Sequence, residues 1–294
     1  MKTRLTVLIL ALALILCALP AGAEVERNGF LDTAFSMLEE GNLFIERYNE
    51  LTGADVQAVY EPGMPYMFGG KRSEEILKGA PVFNKRACWE NTHFYRKDQV
   101  YIYGFDCSGY TEWIMTENGY KHPENLGAVA THYEEYWNNY VYTTNSHCTN
   151  LQPDWSEVAA TLQVGDLYVI KHGGRHVLMY IGTLADYGFT AEDEPELADY
   201  LNYPLVIHCG PNPVYCTRFE TYIAEHPEYS KCGVTDGGVN VSILGVPLDK
   251  ATCHEHVQVH DYDYFTIGEN EQVLTVYRTD DYSSYAWFRC DKAN

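Results

Sequence analysis

Positive charge is scarce in this chain. Twenty lysines and arginines stand against 41 aspartates and glutamates, a net charge of −21. A surface of that sign repels phosphates and anionic headgroups, so neither nucleic acid nor membrane lipid is an expected partner. Long apolar runs are scarce too. The first residues, MKTRLTVLILALALILCALPAGA, hold the one such run, with Lys2 and Arg4 before it and Ala21-Gly22-Ala23 behind it. That pattern reads as a secretory signal peptide over 1–23, cut after Ala23, and not as a membrane span. Leu16 is too large a neighbour for Cys17 to read as a lipid-anchored site. The mature chain is therefore expected to be secreted, extracellular or held in the cell envelope, with no membrane association after cleavage. Repeats and low-complexity tracts are absent, which excludes repeat architectures and long linkers. What is left is a lead-in over 24–60 and one domain over 61–294, expected as a monomer.

Cysteine, in contrast, is plentiful. Cys88, Cys107, Cys148, Cys209, Cys216, Cys232, Cys253 and Cys290 follow the leader. An exported chain with an even set can form bridges throughout. If one of them is a nucleophile, at least one other must also stay outside the set. Cys209 is the candidate, leaving Cys88, Cys148, Cys216, Cys232, Cys253 and Cys290 for up to three bridges. The 25 tyrosines suit strands and sugar or peptide clefts without naming a ligand.

The apolar pattern is helical first and strand-like later. Phe30, Leu31, Ala34, Phe35, Leu38, Phe44, Ile45 and Tyr48 recur at three- and four-residue spacing, so 28–51 reads as helix, weakened at Gly41. Ser73 to Gly79 reads as a short capped helix, as do 126–141 and the stretch after Asp154 and Glu157. From Gly165 onward the runs are strands: Leu167 to Val169, His176 to Ile181, Pro204 to Cys209 and several between 240 and 290. Helices first and strands after make an α+β fold, with N-terminal helices packed on a central antiparallel sheet. Segments near 71–100, 184–203 and 211–270 read as insertions.

One short stretch carries the chemistry. In GFDCSGY, residues 104–110, Cys107 stands where a helix begins. Unpaired N–H groups at a helix N-terminus favour a negative sulfur, which a bridging cysteine has no use for. A thiolate also needs an imidazole held at a fixed angle. His176 opens a strand in GGRHVLMYIG, a rigid mount for a base. His208, in LVIHC, lies in the next strand. Two adjacent antiparallel strands would bring it to the far nitrogen of His176, where it sets tautomer and ring angle.

Taken together, PYMFGG (65–70), GFDCSGY (104–110), VGDLYVIKHGGRHVLMYIG (164–182) and VIHCG (206–210) resemble the NlpC/P60 family of papain-like cysteine peptidases, which cut bacterial cell-wall peptides. The resemblance spans about 60–210 and resumes at the last strands, while 211–270 has no counterpart in it. It implies a papain-like fold with Cys107 as nucleophile, His176 as base and His208 as its orienting partner. It implies Tyr66 as an oxyanion-hole donor, and Asp106 and Ser108 as contacts for a substrate's free amino end, although both also suit a helix cap. The implied substrate is peptidoglycan or a short wall peptide, cut between D-glutamate, through its γ-carboxyl, and a diamino acid, with no cofactor or metal required. The same architecture serves wall amidases and transferases. A disulfide-tied wall-binding module without activity is a further alternative. Two other patterns stand apart. CHEHVQVH (253–260) sets His254, His256 and His260 on one strand face beside Cys253, at a spacing that matches no dependable zinc pattern. Asn240-Val241-Ser242 is formally a glycosylation sequon.

Overall fold

In the computed structural model the described residues are 29–70, 83–84, 100–122, 148–151, 158–170, 176–235, 237–245, 255–257, 262–269, 271–277 and 285–292. The leader read over 1–23 and the helices read at 73–79 and 126–141 lie outside them. The helix read over 28–51 is two helices, α1 (29–35) and α2 (Leu43–Thr52). The break has a local cause. Gly41 takes a left-handed φ of 72°, open to glycine without strain, and the Asn42 side chain then caps α2 by accepting from Phe44 N at 2.9 Å. Gly53, at φ 72°, closes α2.

After β1 (Phe83–Asn84) and β2 (Val100–Ile102) comes α3 (Cys107–Glu117). The later half is mostly strand: β3 (Cys148–Leu151), the short α4 (Val158–Thr161), β4 (Leu167–Ile170), β5 (His176–Thr183) and β6 (Pro204–Pro211). Then follow α5 (Pro213–Glu225), β7 (Cys232–Gly233), β8 (Gly237–Leu244), β9 (Glu255–Val257), β10 (Tyr262–Ile267), β11 (Gln272–Tyr277) and β12 (Tyr285–Cys290). Among the described residues nine strands form one sheet in the order β3-β12-β4-β5-β6-β8-β11-β10-β9, and β1, β2 and β7 form a small second one. Neighbours in the large sheet are antiparallel except β8 and β11, which run parallel. The fold is thus α+β around a central sheet.

Every residue of β5 and of β8 is buried. Such strands read as apolar runs because both faces are covered. Helix α3 packs on β5 and β6, and α5 on β8. Segment 184–203, read as an insertion, folds into two 3-10 turns, Ala185–Tyr187 and Pro195–Tyr200, and buries Tyr187, Leu197 and Tyr200. Segment 211–270, read likewise, supplies β8, a central strand hydrogen-bonded to β6 along its length from Leu205 to Pro211. It is therefore part of the scaffold under His208.

Candidate active site

Helix α3 starts at Cys107 because Asp106 stops the extended chain there. Asp106 has φ −86° and ψ 175°, and its Oδ1 accepts from Gly109 N at 2.6 Å and from Ser108 Oγ at 2.9 Å. Asp106 and Ser108 thus form the helix cap, the second of the two roles their sequence suits. Cys107 is half-buried at the first helical position. The first-turn amides favour a negative sulfur, and the Asp106 carboxylate that caps Gly109 N acts against it. The helix is fixed in place by Tyr110 Oη, which donates to Ala34 O at 2.8 Å, and by Trp113 stacked on Phe105.

The approach to Cys107 is pinned by main chain. Phe105 N donates to Pro65 O at 3.1 Å, Met67 N to Phe105 O at 2.8 Å, and Asp106 N to Gly70 O at 3.0 Å. Gly104 is needed for this closeness, since a Cβ there would lie 1.8 Å from Pro65 O. Tyr66 is buried in this strip, its N–H donating to Gly237 O at 2.7 Å. It stands beside Phe105, two residues from the cysteine.

The two histidines meet. His176 Nε2 lies 2.9 Å from His208 Nδ1, with the rings crossed at 88°. Gly210 makes the room: a Cβ on it would stand 2.9 Å from His176 Cε1 and 3.0 Å from Nε2. Burial pushes the His176 pKa down to about 4. Burial, helped by the neighbouring His176, pushes that of His208 well below the usual histidine range. Both rings are therefore neutral at pH 7. His176 thus meets His208 through Nε2, and Nδ1 is its other ring nitrogen. His176 and Cys107 begin elements, β5 and α3, that pack on each other.

Cys209 is a buried free thiol. Its Sγ donates to Phe105 O at 3.2 Å and lies 3.7 Å from Pro65 O, tying β6 to the strip beside Cys107, and burial raises its pKa. Cys232, placed above in the bridging set, is also a free thiol. The Gly165-Asp166 pair of the motif is structural. Gly165 turns at φ 97°, and both carboxylate oxygens of Asp166 accept from Arg289 of β12, at 2.9 and 2.7 Å.

Three buried residues that the motifs do not mark complete the setting. His208 Nε2 lies 2.7 Å from Ser242 Oγ, and Ser242 is grouped with Asn240 and Thr275. The available signal was two polar residues alternating on one face of an otherwise apolar strand, NVS, which reads as a sequon. Asn240 is fully buried, so it carries no glycan. Among the described residues no cluster of three histidine, cysteine or acidic side chains suits a metal. Cys253, His254 and His260 lie outside them, and His256 is described only as part of β9.

The chain thus sets a thiol at the start of a helix that packs on two strands, each carrying one of two hydrogen-bonded imidazoles, the parts that cysteine-dependent acyl transfer uses. Residues 63–187 match the model of the NlpC/P60 family, so the resemblance seen in the motifs holds over that span. This is a family of cell-wall peptidases. The match takes in Tyr66, Asp106, Cys107, Ser108 and His176, and ends before His208. Neither the curated proteins nor the solved structures return a match. Among the described residues no helix is long and apolar enough to cross a membrane.

Proposed function

We propose that this protein is a secreted cysteine endopeptidase of papain-like type that hydrolyses peptidoglycan stem peptides at the bond between γ-D-glutamate and a diamino acid. The observation that carries the reading is the buried His176–His208 contact of 2.9 Å, on a strand packed against the helix that Cys107 opens. The bond assignment rests on the family match alone.

His176 Nδ1 takes the proton of Cys107 as the sulfur adds to the amide carbonyl. The oxyanion is received by the Cys107 N–H and the Tyr66 hydroxyl, worth several kcal/mol of barrier where two donors are aimed at it. The C–N bond then breaks, His176 returns the proton to the leaving amine, and a thioester remains. Water, deprotonated by His176, cleaves the thioester and restores the thiol. His208 holds the His176 ring throughout. The Asp106 carboxylate, beside the nucleophile, gives a counter-charge for a free amino terminus on a short stem. Strand β8, paired with β6 from Leu205 to Pro211, backs His208.

The test is digestion of purified stem peptides and of sacculi, with products identified by mass. Wild type is expected to release a new diamino-acid amine, and Cys107→Ala to be inactive while folded. Hydrolysis that survives Cys107→Ala rejects the mechanism. A new free lactyl end on the sugar would instead make the enzyme an amidase.

A further inference from the structure

Four polar side chains cluster where apolar ones would serve the sheet better. His208, Asn240, Ser242 and Thr275 are all fully buried. Asn240 and Ser242 share one face of β8 by alternation, and Thr275 of β11 is in register with Ser242. A buried polar group without a partner is costly, so such a group is kept only when its hydrogen bonds are complete. Here they are, and they run in one direction.

The direction starts at the Asn240 amide. Its Nδ2 donates to Gly238 O at 2.9 Å, which turns Oδ1 toward the hydroxyls. Ser242 Oγ lies 3.2 Å from that oxygen and Thr275 Oγ1 lies 3.1 Å from it. Thr275 Oγ1 is also 3.2 Å from Val241 O, and the two hydroxyls touch each other. Asn240 Oδ1 and Val241 O can only accept. The close contact of the two hydroxyls needs a proton between them: with Thr275 donating to Asn240 Oδ1 or Val241 O, Ser242 donates to Thr275, and neither hydroxyl proton is left for His208. Ser242 Oγ is left with lone pairs facing His208 Nε2, so that nitrogen carries the proton. His208 Nδ1 must then accept, and the His176 proton sits on Nε2. His176 Nδ1 is thereby fixed as the basic nitrogen.

We propose that Asn240, acting through Ser242 and Thr275, is a positioning residue that sets the proton arrangement of the His208–His176 pair and so makes His176 Nδ1 the base. This deepens the peptidase reading and rests on His176 as its base. The low pKa of both rings agrees with it, since a neutral pair has a tautomer to be chosen.

The experiment is nitrogen-15 NMR of the whole mature protein labelled at histidine, at pH 7, with His176→Gln and His208→Gln used to assign the signals. Wild type is expected to show both rings protonated at Nε2. His208 protonated at Nδ1 in wild type overturns the proposal without any further variant. Ser242→Ala is expected to shift His208 toward a tautomer mixture and to lower kcat about 10-fold, the effect of losing one orienting hydrogen bond, with KM nearly unchanged. Ser242→Thr keeps the hydroxyl and is expected to keep the wild-type spectrum and most of kcat, although it crowds the core more than alanine does. A folded Ser242→Ala protein with wild-type tautomers and kcat also overturns the proposal. Wild-type tautomers as expected in a protein that cuts no wall peptide would leave the relay standing and remove the peptidase reading.

Discussion

His176 titrates far from where a free histidine does, and that has a consequence for stability with a definite sign. Its folded pKa is near 4, against 6.5 for an unburied ring. Between those values the unfolded chain holds a proton that the folded one lacks. Stability therefore rises with pH across that window, is fully present above about 6.5, and is lost as pH falls toward 4. The loss is on the order of 3 kcal/mol for a shift of this size. His208 acts in the same sense. Asp166, whose pKa burial raises, acts in the opposite sense, which is why a variant is needed as reference. Urea midpoints taken at pH 7, 5.5 and 4.5 are expected to fall for wild type more steeply than for His176→Gln. Equal slopes in the two proteins would show that His176 is not held neutral by burial. If His176 is the base as proposed, the same value puts the acid limb of kcat/KM near pH 4, and activity is expected to persist at pH 5.

Asp106 caps helix α3 and is proposed to hold a substrate's amino end as well, and the two roles can be separated. Asp106 caps the helix through Oδ1, and its charge stands beside the thiol that the helix presents. Asparagine caps as well as aspartate, whereas alanine costs about 1 kcal/mol. Asp106→Asn is therefore expected to keep the unfolding midpoint. If the charge receives a substrate's amino terminus, the same variant raises KM for stems with a free amine and leaves N-acetylated stems unaffected. Asp106→Ala is expected to lose about 1 kcal/mol in addition. Equal KM changes for free and acetylated stems would assign Asp106 to the cap alone. The start of α3 was readable from GFDCSGY because its determinants are local: the cap, the glycines and the first-turn thiol. The break between α1 and α2 was only half readable. Gly41 marks a weak point, but the competing cap at Asn42, which turns a weak point into a stop, depends on how the chain re-enters the core.

Across the molecule, what was hidden is what depends on strand order. Alternation and apolar runs located β5 and β6, and their closeness in sequence put His176 and His208 on neighbouring strands. Nothing local says that β8, reached only after α5, lies on the far side of β6, or that β11 joins β8 in parallel. Ser242, Asn240 and Thr275 reach the site by that route, and so 211–270 read as an insertion. The lead-in 24–60 has a similar history. Phe30, Phe35 and Phe44 belong to the same buried cluster as Leu167 of β4, Val241 of β8 and Phe288 of β12. Phe35 is fully buried, with ring centroids 5.3 Å from Tyr48 and 5.9 Å from Tyr187. A core shared in this way couples the helical half to the sheet, so the two are expected to unfold together. Phe35→Ala should cost about 3–5 kcal/mol, as large-to-small changes at buried aromatics do. The loss should appear as a shift of one transition and not as a second one. The reporters are far-UV circular dichroism, for both halves, and thiol labelling of Cys209, which is closed off between β6 and the Pro65–Phe105 strip in the native state. If labelling and dichroism move together to lower urea in Phe35→Ala, the lead-in is part of the folding unit that holds the site. If dichroism shows an early loss while Cys209 stays protected to the wild-type midpoint, the helices are a separate unit and the histidine pair stands on the sheet alone.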